Sequence, residues 1–193
     1  MNFLAHFLLS CDDEALLIGN YLADHIRVAE ASQYPEAIRQ GIALHRKIDS
    51  FTDAHPSVKT GIYRLHPHHR KYAPVVLDIF YDYFLANNWE KFSALSLQEF
   101  AQNTYRSLEN NLHWMPAHLQ QILPRMIADN WLSSYATIEG IDFTFSRLKQ
   151  RVSRPEHLEN VVNTLVTYQD VLNEEFNDFF PDILLFVKNE CGC

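Results

Sequence analysis

The chain has 193 residues, 47% of them hydrophobic and 21% charged, with a formal charge of -8, which suits one globular domain and argues against a disordered or generally nucleic-acid-binding protein. A domain of this size hides about 70% of the surface its unfolded chain exposes, so its core needs neither disulfides nor a structural metal. The five glycines, Gly19, Gly41, Gly61, Gly140 and Gly192, are too widely spaced for a glycine-rich phosphate loop or a dinucleotide fingerprint.

The first element is a short helix with Phe3, Leu4, Phe7 and Leu8 on one face. Leu8-Leu9-Ser10-Cys11 has the look of a lipoprotein cleavage box, but no Lys or Arg precedes it and His6 interrupts the apolar stretch, so a secretory signal is disfavoured. A second helix carries Leu16, Leu17, Tyr21, Leu22 and Ile26, with Glu14 in its first turn. A third starts at Pro35-Glu36, shows Ile38, Gly41, Ile42 and Ile48 on one face, and stops before Pro56. Arg64-Leu65-His66-Pro67-His68-His69-Arg70-Lys71 reads as a solvated loop or an anion-binding patch. Residues 73–86 are almost wholly apolar and read as a buried helix. Further helices are expected over 96–113, 117–135, 138–150 and 156–179, with breaks near Pro116, Gly140, Arg154-Pro155 and Pro181 and a kink or split at Pro124. The expectation is one all-α domain, residues 1–193, of eight to ten helices.

No apolar run approaches the roughly 18 residues that span a bilayer, so no membrane association is expected. Cys11, Cys191 and Cys193 are odd in number and suggest neither a disulfide framework nor a zinc site; a reducing, cytosolic setting fits, with Cys11 as a small buried hydrophobe. Charge is uneven. Residues 1–71 hold eight basic and eight acidic side chains, and the remainder hold eight and sixteen.

The chemistry lies in polar groups placed where helical spacing calls for core. His45 and Asp49 share a face with Ile38, Ile42 and Ile48, and Asp53 extends the row by one turn. Asp78 and Asp82 are four apart in the apolar segment 73–86, Asn20 and Asp24 repeat that spacing on the second helix, and Asn2 and His6 on the first. A buried carboxylate costs several kcal/mol unless it is paired, protonated or bound to a cation. Each residue alone fits an ordinary core hydrogen bond or ion pair, and Asp82 could pair with Arg46. Together, His6, Asp24, His45, Asp49, Asp53, Asp78 and Asp82 outnumber the nearby cations and favour a divalent ion: Mn²⁺, Mg²⁺, Fe²⁺ or Zn²⁺. Glu-x-x-His, His-Glu-x-x-His and Gly-x-Ser-x-Gly are all absent, which removes the ferritin-like di-iron, zinc-protease and serine-hydrolase arrangements.

Asn2-Phe3-Leu4-Ala5-His6, Gly19-Asn20-Tyr21-Leu22-Ala23-Asp24, Gly41-Ile42-Ala43-Leu44-His45-Arg46-Lys47-Ile48-Asp49, Phe51-Thr52-Asp53-Ala54-His55-Pro56 and Leu77-Asp78-Ile79-Phe80-Tyr81-Asp82 resemble the acyl carrier protein phosphodiesterases, a divergent branch of the HD-domain phosphohydrolases. The specific motifs lie in residues 2–86. The resemblance implies an HD-phosphohydrolase-like helical bundle that hydrolyses the phosphodiester between 4′-phosphopantetheine and the serine of holo acyl carrier protein, with Mn²⁺ as the cofactor and Mg²⁺ or Fe²⁺ as alternatives. Asp24-His25 reverses the order of the HD doublet, and Arg46 follows His45. The implied metal ligands are His6, Asp24, His45 and Asp78. Asp24, Arg46, Asp49, Asp53 and Asp82 are the implied catalytic and supporting groups, with Arg46 offsetting charge on the phosphoryl oxygens. The partner is an acidic carrier protein, so docking is expected at local cations: Arg27, Lys47, Arg64, Arg70 and Lys71. Two other readings stay open: an HD-like hydrolase of a nucleotide or small phosphate ester, and a non-catalytic helical interaction module.

Overall fold

The computed structural model describes residues 1–193 and holds ten α-helices, joined by turns and short 3-10 segments, with no strand. The helices are α1 (Phe3–Leu8), α2 (Glu14–Leu22), α3 (Glu36–Ala54), α4 (Pro56–His69), α5 (Ala73–Asn87), α6 (Leu97–Asn110), α7 (Ala117–Ala128), α8 (Trp131–Ser134), α9 (Ile138–Lys149) and α10 (Val161–Cys191). Their starts follow local chemistry. Asp13 accepts from the Leu16 N–H ahead of α2, Ser96 and Glu99 form a reciprocal capping box on α6, and Thr137 accepts from the Gly140 N–H on α9.

Helix α5 lies at the centre because nearly every side of it is apolar; Phe80, Tyr81, Phe84 and Leu85 are fully enclosed. It packs against α1, α4, α9 and α10. Helices α2 and α3 cross backbone to backbone at two glycines. A Cβ on Gly19 would lie 2.7 Å from the Gly41 Cα, and one on Gly41 would lie 2.9 Å from the Gly19 Cα. That approach brings the polar stripes of α2 and α3 within hydrogen-bonding reach of each other.

Four expectations are corrected. Residues 64–69 are the end of α4 rather than a loop, because Val58, Gly61, Leu65 and His69 repeat at helical spacing and are buried. His69 is held inside by the His157 carbonyl at 2.9 Å and the Thr164 hydroxyl at 3.1 Å. The segment 117–135 divides at Asn130, which takes a left-handed conformation with φ 44°, while Pro124 stays inside α7. Helix α10 continues through Pro181 to Cys191, anchored by buried Phe176, Phe179, Phe180, Ile183 and Val187, whose packing outweighs the one hydrogen bond that proline removes. Finally, Cys11 and Cys193 are disulfide-bonded, with Cα atoms 5.9 Å apart across 182 residues of sequence. Only the return of α10 toward α1 and α2 brings them together, so spacing in sequence carried no sign of the bridge. No helix is long and apolar enough to cross a membrane.

Candidate metal centre

Asn20 organises the site. Its Nδ2 donates to the His6 carbonyl and to the Ser10 hydroxyl, both at 3.0 Å, which turns its Oδ1 toward two imidazoles. That oxygen meets Nδ1 of His6 at 2.9 Å and Nδ1 of His45 at 3.1 Å. An amide oxygen only accepts, so both rings carry a proton on Nδ1 and present Nε2 on the opposite edge. The rings stack with centroids 4.0 Å apart and planes 13° from parallel.

Both Nε2 atoms face Asp49, at 3.3 Å from His6 and 3.2 Å from His45. Asp24, in the turn after α2, lies 3.1 Å from Nε2 of His45. The ligand atoms of His6, His45 and Asp49 all fall within 4.8 Å of one another. Nε2 of His6 is buried and makes no hydrogen bond. An orphaned imidazole nitrogen beside a second imidazole and a carboxylate fits a divalent transition ion, and a partner fixing each ring through its other nitrogen is the usual support for such ligands.

The protonation states follow from burial and charge. Burial drives the His6 pKa down to about 4 despite its contact with Asp49. Burial also opposes charge on His45, but hydrogen bonds to Asp24 and Asp49 outweigh it and raise its pKa to about 9. Asp49 would be driven up by burial, yet the two histidines hold it far below the usual carboxylate range. Asp24 is lowered by its hydrogen bond with His45.

On α5, Asp78 reaches the same polar centre. Burial raises its pKa against the pull of the Met1 α-amine, 3.2 Å away. The amine also lies 3.7 Å from Asp49, so a cation already stands among these carboxylates. Asp82 is fully buried and accepts from the N–H groups of Leu4 at 2.9 Å and Ala5 at 3.2 Å, fixing the first turn of α1 and therefore His6; burial raises its pKa to about 7. Its place is under the helix that carries a ligand rather than beside Arg46. Asp53 is exposed one turn beyond Asp49, and Arg46 is exposed without an ion pair.

The docking candidates scatter. Lys47 pairs with Glu190, and Arg64 pairs with Glu175 at 2.6 Å. Arg27 is exposed beside Glu30 and lines an open depression that also contains Asp24, and Arg70 is exposed. Lys71 donates to the Ser153 hydroxyl at 3.0 Å. Two groups escaped the sequence reading. Asn20 was visible as part of a polar stripe but not as the link between the imidazoles. Arg147 and Arg151 border a cavity of about 300 Å³ that opens at Asp24 and Asp78. A signal for them existed: within an acidic half of the chain, Arg147 has Phe143 and Arg151, not carboxylates, four residues to either side.

The family described as acyl carrier protein phosphodiesterase matches residues 1–183. The chain is similar to proteins named acyl carrier protein phosphodiesterase from Enterobacter sp. (31% identical, covering 98% of this chain and 99% of that one), Photorhabdus laumondii (30%, covering 98% and 96%) and Klebsiella pneumoniae (31%, covering 98% and 99%). No solved structure matches it.

Proposed function

The chain belongs to the acyl carrier protein phosphodiesterase family, and we propose that it hydrolyses the phosphodiester joining 4′-phosphopantetheine to the serine of holo acyl carrier protein, releasing apo carrier and 4′-phosphopantetheine. The observation that carries the reaction chemistry is the pair of imidazoles that one amide oxygen turns toward Asp49. His6, His45 and Asp49 would hold a divalent ion, Mn²⁺ by preference, with Asp24 and Asp78 at its open side. Such an ion supplies charge to polarise the phosphoryl oxygens and to acidify water.

The protein's own groups do the rest. Asn20 keeps both Nε2 atoms aimed inward. Asp82 holds the start of α1 and so the position of His6. Asp24, exposed at the mouth of the cavity, is placed to take a proton from the water that attacks phosphorus, and the serine oxygen leaves on the opposite side with a proton from solvent. Asp53, exposed one turn beyond Asp49, is given no step. Arg46 points into solvent and has no part in this account.

Carrier docking is assigned to the exposed cations Arg27, Arg70 and Lys71, with Lys47 and Arg64 engaged in ion pairs within the protein. Intact-mass measurement of holo acyl carrier protein after incubation with the enzyme and Mn²⁺ tests the reading. The carrier should lose the mass of phosphopantetheine only when Mn²⁺ and enzyme are both present. A carrier of unchanged mass under those conditions would refute it.

A further inference from the structure

Beside the metal centre, a cavity of about 300 Å³ is walled on its far side by Trp131 of α8, Tyr135 just after it, Thr144 and Arg147 of α9, and Arg151 in the turn after α9. Four polar atoms of its wall are buried without a hydrogen-bond partner: Nε and Nη1 of Arg147, Nε1 of Trp131 and the hydroxyl of Thr144. All four can donate, and three can only donate. Buried donors left unpaired cost free energy, and these four belong to three residues that line one cavity.

Arg147 is also held in place. Its guanidinium carbon lies 3.5 Å from the centre of the Trp131 ring and 4.8 Å from that of Phe143, which fixes the plane of the fork without using its N–H groups. Neither Arg147 nor Arg151 forms an ion pair. The turn that carries Arg151 is tied down two and three residues later: Ser153 meets the Lys71 amine at 3.0 Å and the Tyr72 hydroxyl at 3.2 Å, and the Arg154 N–H donates to that hydroxyl at 3.3 Å. Arg147, near the end of α9, and Arg151, in the turn that follows, line the same cavity, and their like charges suit an anion between them.

We propose that this cavity is the seat of the prosthetic group, with Arg147 and Arg151 gripping its phosphate from the side opposite the metal centre. The assignment rests on the function proposed above, because Asp24 and Asp78 line the same cavity and would repel a phosphate without a divalent ion beside them. The apolar part of the wall, including Val75, Ile79 and Leu148, suits the carbon skeleton of the pantetheine arm. The phosphate would then lie between the divalent ion that His6, His45 and Asp49 would hold and the guanidiniums of Arg147 on α9 and Arg151 in the turn after it.

The test uses the full chain loaded with Mn²⁺ and follows Trp131 emission, identified by its loss in Trp131→Phe, while 4′-phosphopantetheine, pantetheine or inorganic phosphate is added. Arg147→Met and the exposed Arg151→Met should each weaken phosphopantetheine binding by about tenfold, the scale of one charge-assisted contact, and leave pantetheine binding and Mn²⁺ affinity unchanged. If Arg147→Met does not fold, Arg151→Met alone decides. Unchanged phosphopantetheine binding, or an equal loss for pantetheine, would overturn the phosphate assignment. Inorganic phosphate binding as tightly as phosphopantetheine would reduce the cavity to a general anion site and overturn the assignment of the arm. A wild-type enzyme that binds phosphopantetheine through these arginines yet releases none from holo carrier would overturn the proposed function and leave the cavity standing. Release by wild type with arginine variants indistinguishable from it would do the reverse.

Discussion

At the scale of single residues, the site depends on one neutral amide. Replacing Asn20 by Ala removes the acceptor for two ring N–H groups and frees both imidazoles to rotate. We expect Asn20→Ala to lower Mn²⁺ affinity by about 10–100-fold, as loss of a group that orients ligands does, and to cost about 1–3 kcal/mol of stability for the buried donors left unpaired. Titration with Mn²⁺ and denaturant unfolding measure the two effects. Protons compete with the ion in a defined direction. The His45 pKa of about 9, set by Asp24 and Asp49 against the effect of burial, means that this ring is charged at pH 7 in the metal-free protein, whereas His6, at about 4, is neutral. The folded-state pKa of His45 lies above its ordinary value, so its contribution to metal-free stability is complete below about pH 6.5 and is lost as pH rises toward 9. Mn²⁺ must displace that proton. Binding at pH 7 should therefore release about one proton and strengthen about tenfold per pH unit until pH 9 is neared, as calorimetry in buffers of different ionisation enthalpy would show. The sequence made His6, His45 and Asp49 visible because polar groups on apolar faces are conspicuous. It could not make the tautomers visible, since those depend on an amide from another helix.

At the scale of elements, the site is built by a helix crossing. Gly19 and Gly41 let α2 and α3 touch, and Asn20 and His45 lie next to that contact in their respective helices. Gly41→Ala puts a methyl against the backbone of α2. It should cost about 1–3 kcal/mol of folding stability by overpacking and weaken Mn²⁺ binding at the same time, because α2 carries Asn20 and Asp24 away from α3. Denaturant unfolding of the metal-free protein, paired with Mn²⁺ titration, checks both; a loss of stability with unchanged metal affinity would separate the crossing from the site. Helices α3 and α5 were legible from periodicity because their faces are continuous. Helix α4 was obscured by its last turns, where three histidines, a proline and an arginine hide the buried positions Leu65 and His69. The extent of α10 was obscured by Pro181, whose local cost is met by packing against distant helices.

At the scale of the molecule, charge and topology separate what the sequence shows from what it hides. The net charge of -8 stands against the acidic partner of the proposed function, so recognition is assigned to exposed local cations. Raising salt from about 0.05 to 0.5 M, which shortens the screening length from roughly 14 to 4 Å, should raise the KM for holo carrier several-fold, and Arg27→Glu or Lys71→Glu should raise it further at low salt. Steady-state kinetics across that range measure this; a KM indifferent to salt would remove electrostatic docking and leave the metal centre as it is. The Cys11–Cys193 bridge and the Arg147 cavity wall were hidden for one reason. Both are made by the C-terminal half folding back over an N-terminal half whose motifs already held the recognisable chemistry.

The central claim is that two imidazoles and Asp49 hold one divalent ion. Pulsed electron paramagnetic resonance of the Mn²⁺-loaded enzyme tests it most directly, through the coupling of the metal electrons to ligand nitrogens. Couplings to two imidazole nitrogens are expected in the wild type and to one in His6→Gln. An active Mn²⁺ enzyme with no nitrogen coupling would contradict the account.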